Sequence, residues 1–455
     1  MGNSSTMSQS TQPETLSSEL LDLIDEFHKI EISQEELETN RLIAQKENQT
    51  LSEYRAIEQI AHIAAYREKL RRNGDKIVLV NAQGSRREYV VRNINTGHSG
   101  LQGEILIPTG HNPESKIIVS WTGTNNPGTL HADLQEAPGE ESYRKREDKI
   151  LAQINDAIGI VHEKTGKPVE IMTTGHSLGG SLAQLTFNTM QRACAANIYD
   201  DHKNNPSFSE AETLEALKSK FQEELKSSPN YPVYSNPNFS KDTRKHFRNV
   251  SKLTVGTWNS AGVLHAVGEN ANALDPILDK YGIKQSARFG MVGGDFVQQS
   301  GQNTVLSNAP TADVSLLKMN IGHNDWKRTM VKAAGAGFTG FLAGTTLGPV
   351  TAMAGGVAGF LIQALKPTLE CHTSKHFNKK SGDIQYDLFR NDTSEGRKVI
   401  EQKLTNKSKM LQCKPISACR RALFQFGCFL SGAQKHCSKA KEQLSSITKS
   451  SFAVR

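Results

Sequence analysis

The chain has 455 residues, 36% of them apolar and 22% charged. That is enough to bury a large core and to form more than one folding unit, and too apolar for a disordered chain. A net charge of +7 over this length, with no basic-aromatic recognition motif, excludes nucleic acid as the expected partner. The six cysteines, with Cys413, Cys419, Cys428 and Cys437 grouped late in the chain, match neither a disulfide framework nor zinc-ligand spacing. No metal or organic cofactor is expected, and the absence of an apolar N-terminal h-region argues against a secretory signal.

Residues 1–15 are polar and read as a disordered tail. They open on Met1-Gly2-Asn3-Ser4-Ser5-Thr6, which fits the acceptor pattern for myristoylation of Gly2. From 16 to 72 the pattern is helical. Leu16, Leu20, Leu23, Phe27 and Ile30 form one apolar stripe, and Ile57, Ile60, Ile63 and Leu70 form another. This N-terminal extension either packs on the core or binds a partner helix.

Short runs rich in Val and Ile follow at Lys76–Val80, Arg87–Ile94, Gly103–Pro108 and Lys116–Trp121, divided by Gly, Asn and Pro turns. A helix is predicted over Glu140–Thr165, a strand over Val169–Thr174 and a second helix from Ser181. Residues 200–248 interrupt the alternation with a polar insertion, read as either a lid or a plain surface excursion. Strands then recur at Lys252–Trp258, Ala287–Val292 and Asp313–Met319, with a helix over Ala266–Lys280. Strands alternating with helices predict an α/β fold, a mostly parallel sheet with helices on both faces, as the core over 73–332.

Residues 333–365 carry no charge and eight glycines. Gly340, Gly344 and Gly348 repeat every four residues, which would line one helix face for close contact. Pro349 divides the stretch into halves, each shorter than the ~20 residues a bilayer crossing needs. Cations flank both ends, so a hairpin that enters the lipid and returns is the membrane reading, and a soluble lid is the other. Residues 366–385 are read as the end of the core, and 386–455 as a basic helical tail.

The chemistry is concentrated in Gly175-His176-Ser177-Leu178-Gly179, a G-x-S-x-G turn between a strand and a helix. Glycines two before and two after Ser177 remove the Cβ atoms that would collide where a strand bends sharply into a helix. Ser177 is the candidate nucleophile, and the Leu178 N–H at the helix start is a candidate oxyanion donor. A second donor is Thr124, in the Trp121-Thr122-Gly123-Thr124 turn that ends a buried strand. The orienting acid must follow Ser177 in this fold. Asp295, after the glycines that end Ala287–Val292, is favoured over Asp275, Asp279 and Asp313. For the base, His323 and His372 compete, and spacing alone prefers His323.

Three stretches resemble the class 3 lipase family of α/β hydrolases. Ile117–Thr124 with Asp133-Leu134 resembles its oxyanion turn, Gly175–Gly180 its elbow residue for residue, and Gly294-Asp295-Phe296-Val297 its acid turn. The stretch from Cys371-His372 to Phe377 resembles the surroundings of the family's base, which moves the choice to His372 with His323 as the alternative. Two departures stand out: Thr122 replaces an arginine before the oxyanion glycine, and Gly256-Thr257-Trp258-Asn259-Ser260 replaces a Gly-x-Pro-Arg turn. The resemblance implies a serine lipase or phospholipase cleaving carboxylic esters of acylglycerols or phospholipids at a membrane surface. A thioesterase or esterase acting on soluble acyl groups, and a non-catalytic membrane-associated adaptor, are the alternatives. The expected location is cytoplasmic or membrane-associated. A myristoyl acceptor without a secretory signal would also suit a bacterial effector delivered into a host cell.

Overall fold

Short runs rich in Val, Ile and Leu supply most of ten strands, and these pair into one sheet whose spatial order follows the chain. The computed structural model describes residues 24–25, 73–80, 86–94, 96, 101–109, 116–123, 139–205, 207–227, 239–292, 303–320 and 385–405. The strands are β1 (Ile24–Asp25), β2 (Lys76–Val80), β3 (Arg86–Asn93), β4 (Gly103–Pro108) and β5 (Lys116–Trp121). They continue with β6 (Val169–His176), β7 (Val250–Trp258), β8 (Lys284–Val292), β9 (Asp313–Asn320) and β10 (Gln385–Arg390). Strands β5 to β9 are parallel to one another. The run β1–β5 is an antiparallel meander, and β10 closes the other edge antiparallel to β9.

The helices are α1 (Glu140–Arg144), α2 (Glu147–Thr165), α3 (Leu178–His202), α4 (Ala211–Ser227), α5 (Lys241–Arg244), α6 (His265–Lys280) and α7 (Ser394–Thr405). Helices α2, α3 and α6 lie between successive parallel strands. Right-handed crossovers between strands taken in chain order all fall on the same side of a sheet. Accordingly Ile154, Leu185, Leu278 and Ile400 from the helices join one apolar cluster with Ile117, Ile171, Val255, Phe289 and Leu316 from the sheet. The opposite face is buried too, at Ile118, Met172 and Leu317, but no described helix contributes to its apolar cluster. The expectation of helices on both faces is therefore met on one face among the described residues.

Two further expectations are corrected. Within the extension read as helical over 16–72, Ile24–Asp25 is extended and pairs with Val80 and Leu79, because β2 offers an open hydrogen-bonding edge. The core also runs beyond residue 385: β10 pairs with β9 from Gln385 to Arg390, and Ile400 and Leu404 of α7 are buried in the main cluster. The tail was read by composition, which does not register a strand that completes an edge.

Helix α3 carries polar residues that the sequence pattern assigns to solvent. Ser181, Gln184, Asn188 and Gln191 are all 0% exposed. Their partners come from distant segments: Ser181 Oγ donates to Gly262 O at 3.2 Å, and Asn188 Nδ2 to Asn270 Oδ1 at 3.0 Å. Buried amides of this kind are tolerated only when bonded.

The described part of the polar insertion packs on the second half of α3. Arg248 pairs with Asp201 at 2.6 Å, Arg244 with Asp200 at 2.7 Å, and the Arg192 guanidinium lies 4.8 Å from the Phe221 ring centroid. Helix α3 has 25 residues, about 37 Å of helix at ~1.5 Å per residue, and Ser177 stands at its opposite end. The insertion is a surface excursion far from the serine, and the lid reading does not hold for its described residues. Among the described residues no helix is long and apolar enough to cross a membrane. The segments 1–15 and 333–365 lie outside the described residues.

Candidate active site

Strand β6 delivers Ser177 to the carboxyl edge of the parallel strands, and the chain turns at once into α3. Ser177 has φ 59° and ψ −126°, a left-handed conformation that L-residues other than glycine rarely adopt. The turn is crowded enough to explain both glycines. A Cβ on Gly175 would lie 2.2 Å from the Gly179 carbonyl carbon, and one on Gly179 would lie 2.3 Å from Trp121 O. Neither contact can be relieved by a side-chain rotation, because backbone atoms face both positions.

Three strands hold the bend. The Ser177 N–H donates to Trp258 O at 3.2 Å, which ties the serine turn to the end of β7. The N–H groups of Gly180 and Ser181 turn back to Ser177 O at 3.0 and 3.3 Å. The Leu178 N–H, first in the helix, has no partner among the described residues. It is one of the orphan donors every helix N-terminus carries, and it adds to the positive end of the helix dipole. Ser177 itself is 6% exposed, so its hydroxyl is almost withdrawn from bulk water.

The turn after β5 comes within contact of this bend, as the Trp121–Gly179 approach requires. Thr122 is fixed there twice: its N–H and its hydroxyl both reach Gln102 O, at 3.0 and 2.9 Å. A threonine thus anchors the turn to the residue that enters β4. Thr124 lies outside the described residues.

All three competing acids are engaged elsewhere. Asp275 Oδ2 accepts the N–H groups of Thr311 and Ala312 at 2.7 and 3.0 Å, and its Oδ1 accepts from Gln285 at 2.8 Å. Burial, only partly offset by the Thr311 and Ala312 donors, raises its pKa from the ordinary aspartate value. Asp279 pairs with Lys284 at 2.8 Å and Asp313 with Arg288 at 2.5 Å. These groups cluster where β8 and β9 begin, the end of the sheet opposite Ser177. In sequence, Asp295 follows the last residue of β8, Val292, by three positions. Asp295 lies outside the described residues, and so do His323, His372 and Gly2.

The described histidines after Ser177 have their own surroundings. His202 stacks near Phe208 and Tyr281 at the far end of α3, and His246 fills the space beside Gly159 on α2. His265 is exposed at the start of α6. Among the described residues no three His, Cys, Asp or Glu side chains gather as metal ligands.

Two residues that sequence reasoning passed over belong to the same edge. Asn259, fully buried with φ 47°, follows β7 and links it to β8. Gln184 donates to Ser260 Oγ and Ala261 O, both at 2.9 Å, and accepts the Val305 N–H at 3.2 Å. Asn259 left a signal, since asparagine tolerates left-handed φ better than most residues; Gln184 left none, because a helical glutamine normally reads as solvated. Comparison with known proteins finds no matching family model, no matching curated sequence and no matching solved structure.

Proposed function

We propose that this chain is a serine ester hydrolase of the α/β-hydrolase type, resembling class 3 lipases, that acts on acylglycerol or phospholipid esters at a membrane surface. The observation that carries the reading is the left-handed backbone of Ser177 at a strand-to-helix bend whose two glycines leave no space for a Cβ. Such strain costs ~1–3 kcal/mol and persists only where the surrounding structure enforces it. In return it lifts a hydroxyl onto the sheet edge beside an unbonded N–H.

Chemically, Ser177 Oγ attacks the ester carbonyl carbon while its proton passes to the histidine base, His372 in the resembled arrangement and His323 in the alternative. The Leu178 N–H, with Thr124 as the second donor, receives the charge on the carbonyl oxygen, a contribution of roughly 3 kcal/mol per donor. The base then gives its proton to the departing alcohol, and water repeats the sequence to release the carboxylic acid. Asp295 orients the imidazole and stabilises its charged form. Gly2 acylation and the glycine-rich segment 333–365 would bring the site to an insoluble substrate, since one myristoyl chain alone binds membranes only marginally.

A fluorophosphonate probe tests the reading directly. Wild-type protein is expected to be labelled and Ser177→Ala protein to remain unlabelled. Labelling that survives the substitution, or none in either form, removes the hydrolase reading. Lipid analysis of cells expressing the two forms then separates glycerolipid esters from soluble acyl substrates.

A further inference from the structure

At the end of α3 remote from Ser177, a cavity of about 280 Å³ opens between α3, α4, the segment entering α5, and α6. Its walls are Ala196, Leu214, Phe221, Phe239 and Leu274, and charged side chains surround them. The volume is roughly twice the ~150 Å³ that admits benzene, space for about a dozen non-hydrogen atoms. The floor is apolar even where an arginine forms it. The Arg192 guanidinium lies 4.8 Å from the Phe221 centroid and 4.9 Å from that of Phe239, and its ion pair is made with Glu147 behind.

The mouth is different. Arg244 and Lys241, both lining the cavity, share one carboxylate, Asp200, at 2.7 and 3.8 Å. Lys218 has Glu215 at 3.4 Å. Three lining cations thus face two lining anions, and the long, exposed pairs of Lys218 and Lys241 are weak enough to exchange partners.

We infer that this cavity binds a medium-chain alkyl carboxylate, with its tail against Phe221, Phe239 and Leu274 and its head between Lys218 and Lys241. An anion is selected by the excess positive charge at the mouth, and a tail of about ten carbons by the volume. The site stands apart from the serine, so binding does not depend on the hydrolase reading. Only the ligand's significance, as the acid that ester hydrolysis releases, rests on it.

The test is calorimetric titration of decanoate into the full chain carrying Ser177→Ala, so that no turnover contributes. One saturable site is expected, with hexanoate weaker on the order of 100-fold for its four missing methylenes, and decylamine not binding. Ala196→Trp fills the cavity and is expected to abolish the site, and the pair Lys218→Glu and Lys241→Glu to weaken it about tenfold by reversing the charge at the mouth. Decanoate binding that is undiminished in Ala196→Trp, equal binding of decylamine, or no saturable site overturns the inference. If the filled variant fails to fold, the lysine pair decides by itself, because both positions are solvent-facing: unchanged affinity refutes the assignment. A chain that binds decanoate but takes no fluorophosphonate would retain this inference and lose the hydrolase reading.

Discussion

The Asn259 side-chain oxygen accepts the Val292 N–H at 2.9 Å, and the Asn259 N–H donates to Gly290 O at 2.9 Å. One residue therefore clips the carboxyl end of β7 to that of β8. The preceding carbonyl, on Trp258, receives the Ser177 N–H. The serine turn and the strand leading toward Asp295 are thus referred to the same two residues. Replacing Asn259 by Ala removes the side-chain acceptor and places a Cβ-bearing residue less tolerant of φ 47° there. A loss of about 1–3 kcal/mol in stability is expected from the orphaned buried N–H. Asn259→Gly tolerates the φ of 47° and loses the clip. If Asn259 positions the site, both variants lower kcat more than they raise KM in an ester assay. A variant with lower stability and unchanged kcat would show a purely structural role.

Ser177 is strained and Gly would not be. Ser177→Gly is expected to raise the unfolding free energy by ~1 kcal/mol or more, since the strain of a left-handed residue is relieved. The same variant loses fluorophosphonate labelling. Urea midpoints of the two proteins check the first statement, and a fall in the midpoint would contradict the argument that the bend is costly.

Gly179→Ala forces Trp121 O away from the start of α3, because the added carbon would sit 2.3 Å from it. Thr124, the proposed second oxyanion donor, follows that carbonyl by three positions in sequence. Where the protein still folds, kcat is expected to fall on the order of 100-fold, the cost of one misplaced donor, with KM changed far less. Steady-state kinetics on a short-chain ester measures both.

His323→Ala and His372→Ala identify the base. The variant lacking the base is expected to lose at least about 1,000-fold in kcat, and the other to stay close to wild type. Equal activity in both would require another base and would remove the carry-over from the resembled family.

Glu147 gives a pH dependence. Burial alone would raise its pKa, but Arg144, Arg192 and Thr189 outweigh burial and hold the carboxyl below its usual range. Unfolding returns it to about 4.3. Its ionisation therefore stabilises the fold at pH above that value, and the contribution is lost as pH falls through the lower folded pKa. Glu147→Gln leaves the buried Arg192 without its carboxylate, while Arg144 keeps Glu140 at 3.2 Å, so a loss of about 3 kcal/mol is expected at pH 7. The gap from wild type narrows as pH falls through the folded pKa of Glu147. Urea unfolding of both proteins across that range tests it, and identical midpoints at pH 7 would refute the network's importance.

The strands from Lys76 to Met319 and the helices of the core were legible from periodicity, to within a few residues at most ends. So was the turn at Ser177, because the two glycines, the strand before and the helix after are all local. What the three competing acids bond to became visible only with the fold. Asp275, Asp279 and Asp313 look like free carboxylates in sequence, and their partners Thr311, Lys284 and Arg288 show why they are not.

Local pattern was enough to mark the strands and helices between Lys76 and Met319 and the serine on a cramped bend, since dihedral preference, side-chain period and missing Cβ atoms act over a few neighbouring residues. It missed β1 and β10, whose strand character comes from the edges they pair with. Tertiary structure alone decided that the described helices share one face, that the insertion packs far from Ser177, and that Gln184 and Asn188 are interior. Those outcomes depend on hydrogen bonds and contacts between residues tens of positions apart, such as Gln184 with Ser260 and Arg244 with Asp200. A local pattern carries no record of which distant group will satisfy a buried polar atom.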